Sequence, residues 1–388
     1  MPLTMLKNVR VFDGRVLGTS SNVLFQNSPG DVVSIDLAGT EEAQADNVID
    51  GGGCTLMATF IDAKIDAGAA DSALETFASF GVGTVIDLSS SSTDAQAMRL
   101  ASSADESLPT YYSSGATAVA KGCESSRFPI HSFETVDSPE EVEAFVNARI
   151  DGPEKADYIM AVCDAPCLED HLLAALVNAT HRRGKVAAAQ AASIRGYERA
   201  LRAGFDMITK VPLDGTLSEE IALEMAARKV ICIPTLCILE KFTQQLQREA
   251  EEEEEGASAA SVARTPISPS RHSFGDALSA VKTLHEAGVA ICAGTGANPS
   301  QEMPVSIGES IHTEMELLVK AGMSELEALR AASYGSAETL GFKAPGMLQV
   351  GQRADLVLLD GNPLEDIRNT RRIRRVWLRG IEIVSRTD

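Results

Sequence analysis

From residue 56 onward one motif repeats, a short apolar run followed by an amphipathic stretch, and few architectures accept that repeat. The apolar runs read as strand cores at 56–65, 84–88, 110–113, 158–162, 186–189, 207–208, 230–233 and 289–292. Helical stretches lie between them at 73–80, 139–150, 169–183, 194–203, 218–227 and 274–287. Strands that stay apolar on both faces and alternate with helices imply a parallel sheet. Eight such strand cores predict an α/β fold closed into a (β/α)8 TIM-like barrel.

The flanks read differently. Short strands with turns occupy 7–12, 23–26, 32–35 and 48–49, and Gly51-Gly52-Gly53 ends the series. After two further helices, 311–321 and 324–340, strand pattern returns at 354–359 and 373–378. Neither set can build a core alone, so the two are expected to pair as one small β-sandwich domain. The expected division is 1–55 and 346–388 for that domain, and 56–345 for the barrel. Residues 248–271 interrupt the barrel pattern with Glu251–Glu255 and then an Ala/Ser/Pro-rich stretch. This acidic segment reads either as a solvated, flexible loop or as a lid over the barrel face.

Charge excludes several classes of function. Lys+Arg 34 against Asp+Glu 55 gives a formal charge of −21, which repels phosphate backbones and anionic lipid. No nucleic-acid or membrane partner is expected, and no apolar run reaches the roughly 18 residues of a membrane span. The first residues lack the pattern of a secretory leader, and a cytoplasmic location is expected. Seven Cys are spread thinly, and Cys54, Cys232, Cys237 and Cys292 sit in apolar runs as small buried hydrophobes. Cys163 and Cys167 have no second pair at zinc spacing. The Gly51–Gly53 triplet is followed by no phosphate-loop Lys-Ser/Thr.

Several motifs carry a family resemblance. Val48-Ile-Asp-Gly-Gly-Gly53 through Phe60-Ile-Asp-Ala63 resembles the opening of the metal-dependent amidohydrolase superfamily. Gly346-Met-Leu-Gln-Val-Gly-Gln-Arg-Ala-Asp-Leu-Val-Leu358 with Asn362-Pro363 resembles its closing signature. Gly81–Asp87, Ala203–Asp206, Ala293–Thr295 and Glu314–Gly322 fall between them in the family's order. The likeness covers essentially the whole chain and is nearest the imidazolonepropionase- and prolidase-like branch. It implies hydrolysis by one or two divalent metals that activate water. The implied ligands are an HxH pair on strand one, Lys or Glu on strand four, His on strands five and six, and Asp on strand eight.

None of those ligands is present. Lys64 and Asp66 stand at the HxH pair, Met160 at strand four, Gln190 at strand five, Lys210 at strand six and Gly296 at strand eight. Zinc takes neutral His nitrogen, thiolate or carboxylate, so two ammonium groups there disfavour a metal. No metal and no cofactor are expected. None of the six His (131, 171, 181, 272, 285 and 312) falls at a strand end in this reading.

Three readings stay open. In the first, Lys64, Asp66 and Lys210 do acid–base or electrostatic work on a small organic molecule, as in isomerisation, cyclisation, dehydration or C–C/C–N lysis. A desolvated Lys in such a site also suits a Schiff base. In the second, the protein is a pseudoenzyme or binding protein whose Lys64–Asp66 pair only fills the metal site. In the third, it is a metal-dependent hydrolase of cyclic amide or C–N bonds with relocated ligands. Lys64 and Lys210 against Asp66 predict a cationic pocket, and the fungal type of the resemblance suggests specialised metabolism.

Weaker pocket candidates surround the three charged residues. Tyr111 and Tyr112 at strand three each offer a hydroxyl or plain core packing. Asp87 ends strand two, and the Ser89–Ser92 run after it reads as a turn. Thr235 and Glu240 follow strand seven and could rim the pocket. Gln190, Met160 and Gly296 are expected to contact substrate where the family holds metal. A homo-oligomer is compatible with the barrel helices.

Overall fold

The computed structural model describes residues 1–28, 30–36, 45–68, 72–123, 132–164, 168–255, 272–342 and 346–383. At the N-terminus the strands are β1 (Leu3–Phe12), β2 (Leu17–Gln26), β3 (Val32–Asp36), β4 (Asn47–Asp50) and β5 (Thr55–Ala58). The parallel system holds β6 (Phe60–Ile65), β7 (Val82–Asp87), β8 (Thr110–Ser113), β9 (Thr117–Val119), β10 (Phe133–Thr135) and β11 (Tyr158–Val162). It continues with β12 (Val186–Gln190), β13 (Met207–Thr209) and β14 (Ile231–Ile233), and the chain ends in β15 (Leu356–Leu359), β16 (Ile373–Leu378) and β17 (Ile381–Ile383).

The terminal strands do pair with each other. They form one sheet in the order β17-β16-β15-β5-β1-β2-β3, with β4 against β1. The sheet curls, because Gly30 N donates to Arg379 O and Ala354 N donates to Gly30 O, each at 2.8 Å. Trp377, Phe25, Leu56 and Leu358 pack in its own apolar cluster, with Phe25 edge-on to Trp377 at 5.6 Å.

One expected strand is two. The apolar run 56–65 breaks at Thr59: β5 pairs antiparallel with β15, whereas β6 pairs parallel with β7. A continuous apolar run satisfies both burials, so hydrophobicity alone could not mark the change of sheet.

The parallel strands run in the orders β6-β7-β8 and β10-β9-β11-β12-β13-β14. The expected eighth strand at 289–292 is not regular and keeps only a bridge between Cys232 and Ile291. Its backbone nevertheless spans two neighbours. Cys292 N donates to Cys232 O at 2.9 Å, and Ala63 N to Ala293 O and Gly296 N to Lys64 O, both at 2.8 Å. Gly296 at φ 69° takes this segment out of extended geometry. On the other flank Asp157 N donates to Ser113 O at 2.7 Å. The whole is an α/β fold with parallel sheets, consistent with a TIM-like barrel.

The helices are α1 (Ala73–Ser79), α2 (Ser92–Ala104), α3 (Pro139–Asp151), α4 (Asp170–Arg182), α5 (Ile194–Ala203) and α6 (Glu219–Ala227). After them come α7 (Leu236–Glu255), α8 (Phe274–Glu286), α9 (Ser310–Lys320), α10 (Glu325–Ala331) and α11 (Tyr334–Thr339). Ser89–Ser91 do form the expected turn, and Ser92 opens α2, which Ser91 Oγ caps by accepting from Asp94 N at 3.1 Å. Two departures from expectation have plain causes. The stretch 324–340 is two helices, parted at Ser333, whose φ of −149° is not helical.

The acidic run belongs to a helix rather than a loop. Leu236, Leu239, Phe242 and Leu246 bury one face of α7, and the Glu residues, good helix formers, extend it to Glu255. The rest of the expected acidic loop, 256–271, lies outside the described residues, and so does its reading as a lid. Inside the parallel system Ala63, Ile86, Met160, Ala188, Met207, Ile233 and Cys292 form one apolar cluster. The larger core lies between strands and helices.

Candidate active site

Barrel chemistry sits at the C-terminal strand ends, and four of the singled-out side chains meet there as a charged group. Lys64 and Asp66, two apart on β6 and just past it, form an ion pair through Lys64 Nζ and Asp66 Oδ2. Both are buried, at 1% and 6% exposure. Neighbouring backbone fixes them: Gly296 N donates to Lys64 O, and Asp66 N to Ala297 O, each at 2.8 Å. Asp66 Oδ1 has no hydrogen-bond partner.

Lys210 directly follows β13. Its Nζ donates to Gln190 Oε1 at 3.0 Å. Burial pushes its pKa down to about 7, the ammonium of Lys64 adds to that, and Asp66 and Asp164 oppose it. The backbone at Lys210 is left-handed, φ 69°, which costs about 1–3 kcal/mol for a side chain of this kind. Lys210 N donates to Ile233 O at 2.8 Å, and Tyr197 Oη donates to Lys210 O at 2.7 Å.

Asp87 ends β7 and accepts from Ser90 Oγ, from Tyr111 Oη at 3.0 Å and from Ser89 N at 3.3 Å. Burial lifts its carboxyl to about 6, and the negative Asp66 lifts it further against the pull of those donors. Tyr111 therefore does join the site, as a donor to Asp87. Tyr112 does not, since it stacks on Phe342 at 4.5 Å.

Register also moves one position. On the ladder Met160 pairs with Ala188, while Val162 pairs with Gln190. Met160 thus lies one layer beneath Gln190, and Val162 stands level with it. Two residues flank the charged group with unusual backbone. A Cβ at Gly296 would meet Ile238 at 3.0 Å, so a side chain there needs Ile238 to give way. Thr235, at φ 51°, is buried with an Oγ1 that has no partner.

The expected cationic pocket is not what the charges give. Asp87 and Asp164 join Lys64, Lys210 and Asp66 in one set of interacting charges, so three carboxyl groups face two amines. Asp87 and Asp164 lie outside the ligand positions of the resemblance and so add charge that those positions do not show. Asp164 is a site residue the sequence analysis did not name, although a carboxylate two residues past β11 is a legible signal; it accepts from Ala192 N at 2.8 Å. Tyr197 was missed because its hydroxyl reaches Lys210 only through the turn of α5 onto the sheet.

A second buried acid pair supports the site from below. Asp62 accepts from Thr295 N at 3.0 Å and from Thr295 Oγ1 at 2.7 Å, and burial lifts it to about 7. Glu314 caps α7 by accepting from Leu236 N at 2.9 Å and Cys237 N at 2.8 Å. Burial lifts Glu314 to about 8.

The described histidines all lie elsewhere. His181 meets Asp206 at 2.8 Å and His285 meets Glu327 at 3.0 Å. His171 pairs with Glu169, and His272 packs edge-on to Phe242. His312 is buried on α9, edge-on to Phe60 at 5.3 Å. His131 lies outside the described residues. Among the described residues no three His, Cys, Asp or Glu are grouped to hold a metal ion. At the positions that the resemblance assigns to metal ligands, the donors are two ammoniums, one carboxylate tied to one of them and one amide, a set that does not fit a divalent ion.

The amidohydrolase family profile matches residues 43–382, and the chain belongs to the amidohydrolase family. Within that family it is similar to the ochratoxinase of Aspergillus niger, 27% identical over 214 residues, which are 54% of this chain and 40% of that enzyme. The matched segment thus spans less than half the length of this curated relative. Among solved structures, a putative prolidase from Bifidobacterium longum superposes with a TM-score of 0.80 at 22% identity, covering 98% of this chain and 94% of that one. A Xaa-Pro dipeptidase with bound methionine in its active site gives 0.78 at 20%, covering 98% and 99%. The A. niger ochratoxinase structure gives 0.76 at 17%, covering 98% and 95%. No helix among the described residues is long and apolar enough to cross a membrane.

Proposed function

We propose that this chain is an enzyme of the amidohydrolase fold that works without a metal, using Lys64, Asp66 and Lys210 for acid–base and electrostatic catalysis on a small organic molecule. The observation that carries this reading is Lys210. It is buried at a strand end in strained backbone, within the field of a second ammonium, and it titrates about 7. An amine poised near neutrality both takes and gives protons there. Asp66 and Asp87 supply the matching carboxylates. The substrate is bound by Gln190, Thr235 and the backbone at Gly296, at the place where relatives of this fold do their chemistry. Isomerisation, dehydration, cyclisation and C–C or C–N lysis all suit such a group, since none needs a metal hydroxide.

Hydrolysis of a small amide is the second reading, and family membership favours it. The test is a turnover screen with small amides, lactams, aldehydes and ketones, run with and without EDTA. Turnover that persists in EDTA and disappears in Lys64→Ala and Lys210→Ala is expected. Turnover abolished by EDTA, and restored by zinc, would sink the metal-free reading.

A further inference from the structure

Two independent features of the site point to one kind of ligand. Three side chains around the charged group are buried to at least nine-tenths and end in polar atoms with no hydrogen-bond partner: Asp66 Oδ1, Ser89 Oγ and Thr235 Oγ1. Buried polar atoms are rarely left so, and those at a site mark where a bound molecule completes the bonding. Leu88 N donates to Ile65 O at 3.1 Å, which brings Ser89 beside Asp66. Thr235 stands at the head of α7, and that helix packs Ile238 against Gly296, whose backbone in turn holds Lys64. The second feature is the amine. Lys210 is fixed at both ends of its peptide unit, by Tyr197 Oη and Ile233 O, and it shares the site with another ammonium, Lys64. A desolvated Lys beside a second cation is the arrangement that makes an amine nucleophilic.

Resting on the metal-free reading above, we infer that Lys210 is the nucleophile that takes up a small aldehyde or ketone as a Schiff base, with Asp66 as proton carrier. The neutral Nζ of Lys210 adds its lone pair to the carbonyl carbon, and the C=O pair moves to oxygen. One proton passes from nitrogen to that oxygen, giving a carbinolamine. A second proton, delivered through the Asp66 carboxyl, lets the hydroxyl leave as water while nitrogen forms the C=N bond. The sum is amine, carbonyl and one proton giving iminium and water. The hydroxyls of Ser89 and Thr235 bond the rest of the substrate. An iminium draws electrons from the adjacent carbon, so the reaction class narrows to dehydration, isomerisation or C–C lysis next to a carbonyl.

The test uses the full chain with acetaldehyde and sodium cyanoborohydride at about pH 7, followed by peptide mapping. Exposed Lys241 and Lys282 are internal standards. The fraction of free amine at neutral pH makes Lys210 label faster than either standard by about tenfold or more. In Lys64→Met the half-point of Lys210 labelling moves to higher pH, and in Lys210→Arg that peptide stays unlabelled. Equal or slower labelling of Lys210 than of Lys282 in the folded chain would overturn the Schiff base. Turnover that still resists EDTA and still needs Lys210 would then leave the metal-free reading standing.

Discussion

The phenol of Tyr197 on α5 donates a 2.7 Å hydrogen bond to the carbonyl of Lys210, across the turn that puts Lys210 in left-handed backbone. A buried helix residue thus holds the strand-end lysine in a conformation it would not choose. Tyr197→Phe removes that bond and little volume. The expected loss of stability is about 1 kcal/mol, read by urea denaturation. Because Tyr197 is a positioning residue, Lys210 should also titrate closer to its ordinary value. The pH dependence of Lys210 acetylation checks this, and an unchanged half-point would show that Tyr197 is structural only.

Removing Lys64 tests the ion pair. Lys64→Met leaves the buried Asp66 carboxylate without its cation, and the expected cost is about 3–5 kcal/mol. Replacing both partners, as Lys64→Met with Asp66→Leu, should recover most of that loss, since an apolar pair needs no charge compensation. Denaturation of the single and double variants closes the cycle.

Stability should fall as pH rises from about 4.5 to about 7. Glu314 titrates near 8 in the fold against 4.5 unfolded, so the folded state holds its proton longer. Its stabilising contribution is full below about 4.5 and is lost as pH rises through 8. Asp62, at about 7, has the same sign. Lys210, at about 7 against 10.5, has the opposite sign and restores stability only above neutrality. Glu314→Gln should flatten the fall, shifting the variant-minus-native difference in its own favour by about 5 kcal/mol between about pH 4 and pH 9. No change in that difference would place the proton elsewhere.

The family resemblance sets Gly296 at the position of an acidic ligand. Its φ of 69° strains any side chain, and a methyl group there would press on Ile238 at 3.0 Å. Gly296→Ala should cost about 1–3 kcal/mol and disturb Lys64, whose carbonyl the Gly296 amide binds. Thermal unfolding reads the first effect, and loss of turnover the second.

Much of this was legible in the sequence, because apolar periodicity and strand-end positions are local signals. Lys64, Asp66, Gln190 and Lys210 could be placed by register with the family's motifs. Residues that act across elements could not. Tyr197 and Asp164 reach Lys210 only after α5 and β11 have packed, whereas Asp87 was legible as a strand-end carboxylate beside the lysines. The split between β5 and β6 was hidden for the same reason: 56–65 is apolar in either sheet. The acidic end of α7 is not legible as helix in the sequence, because a run of Glu suits a solvated loop as well as a helix.

If ammonium groups have taken the place of metal in this site, the purified protein should be nearly metal-free. The most direct measurement is the metal content of the purified chain after growth with added zinc and manganese, followed by exhaustive dialysis. The lysine site should hold well below one equivalent of Zn, Mn, Fe or Ni, and Lys64→His with Lys210→His should raise that figure. One or two equivalents retained by the native chain through dialysis would contradict the account.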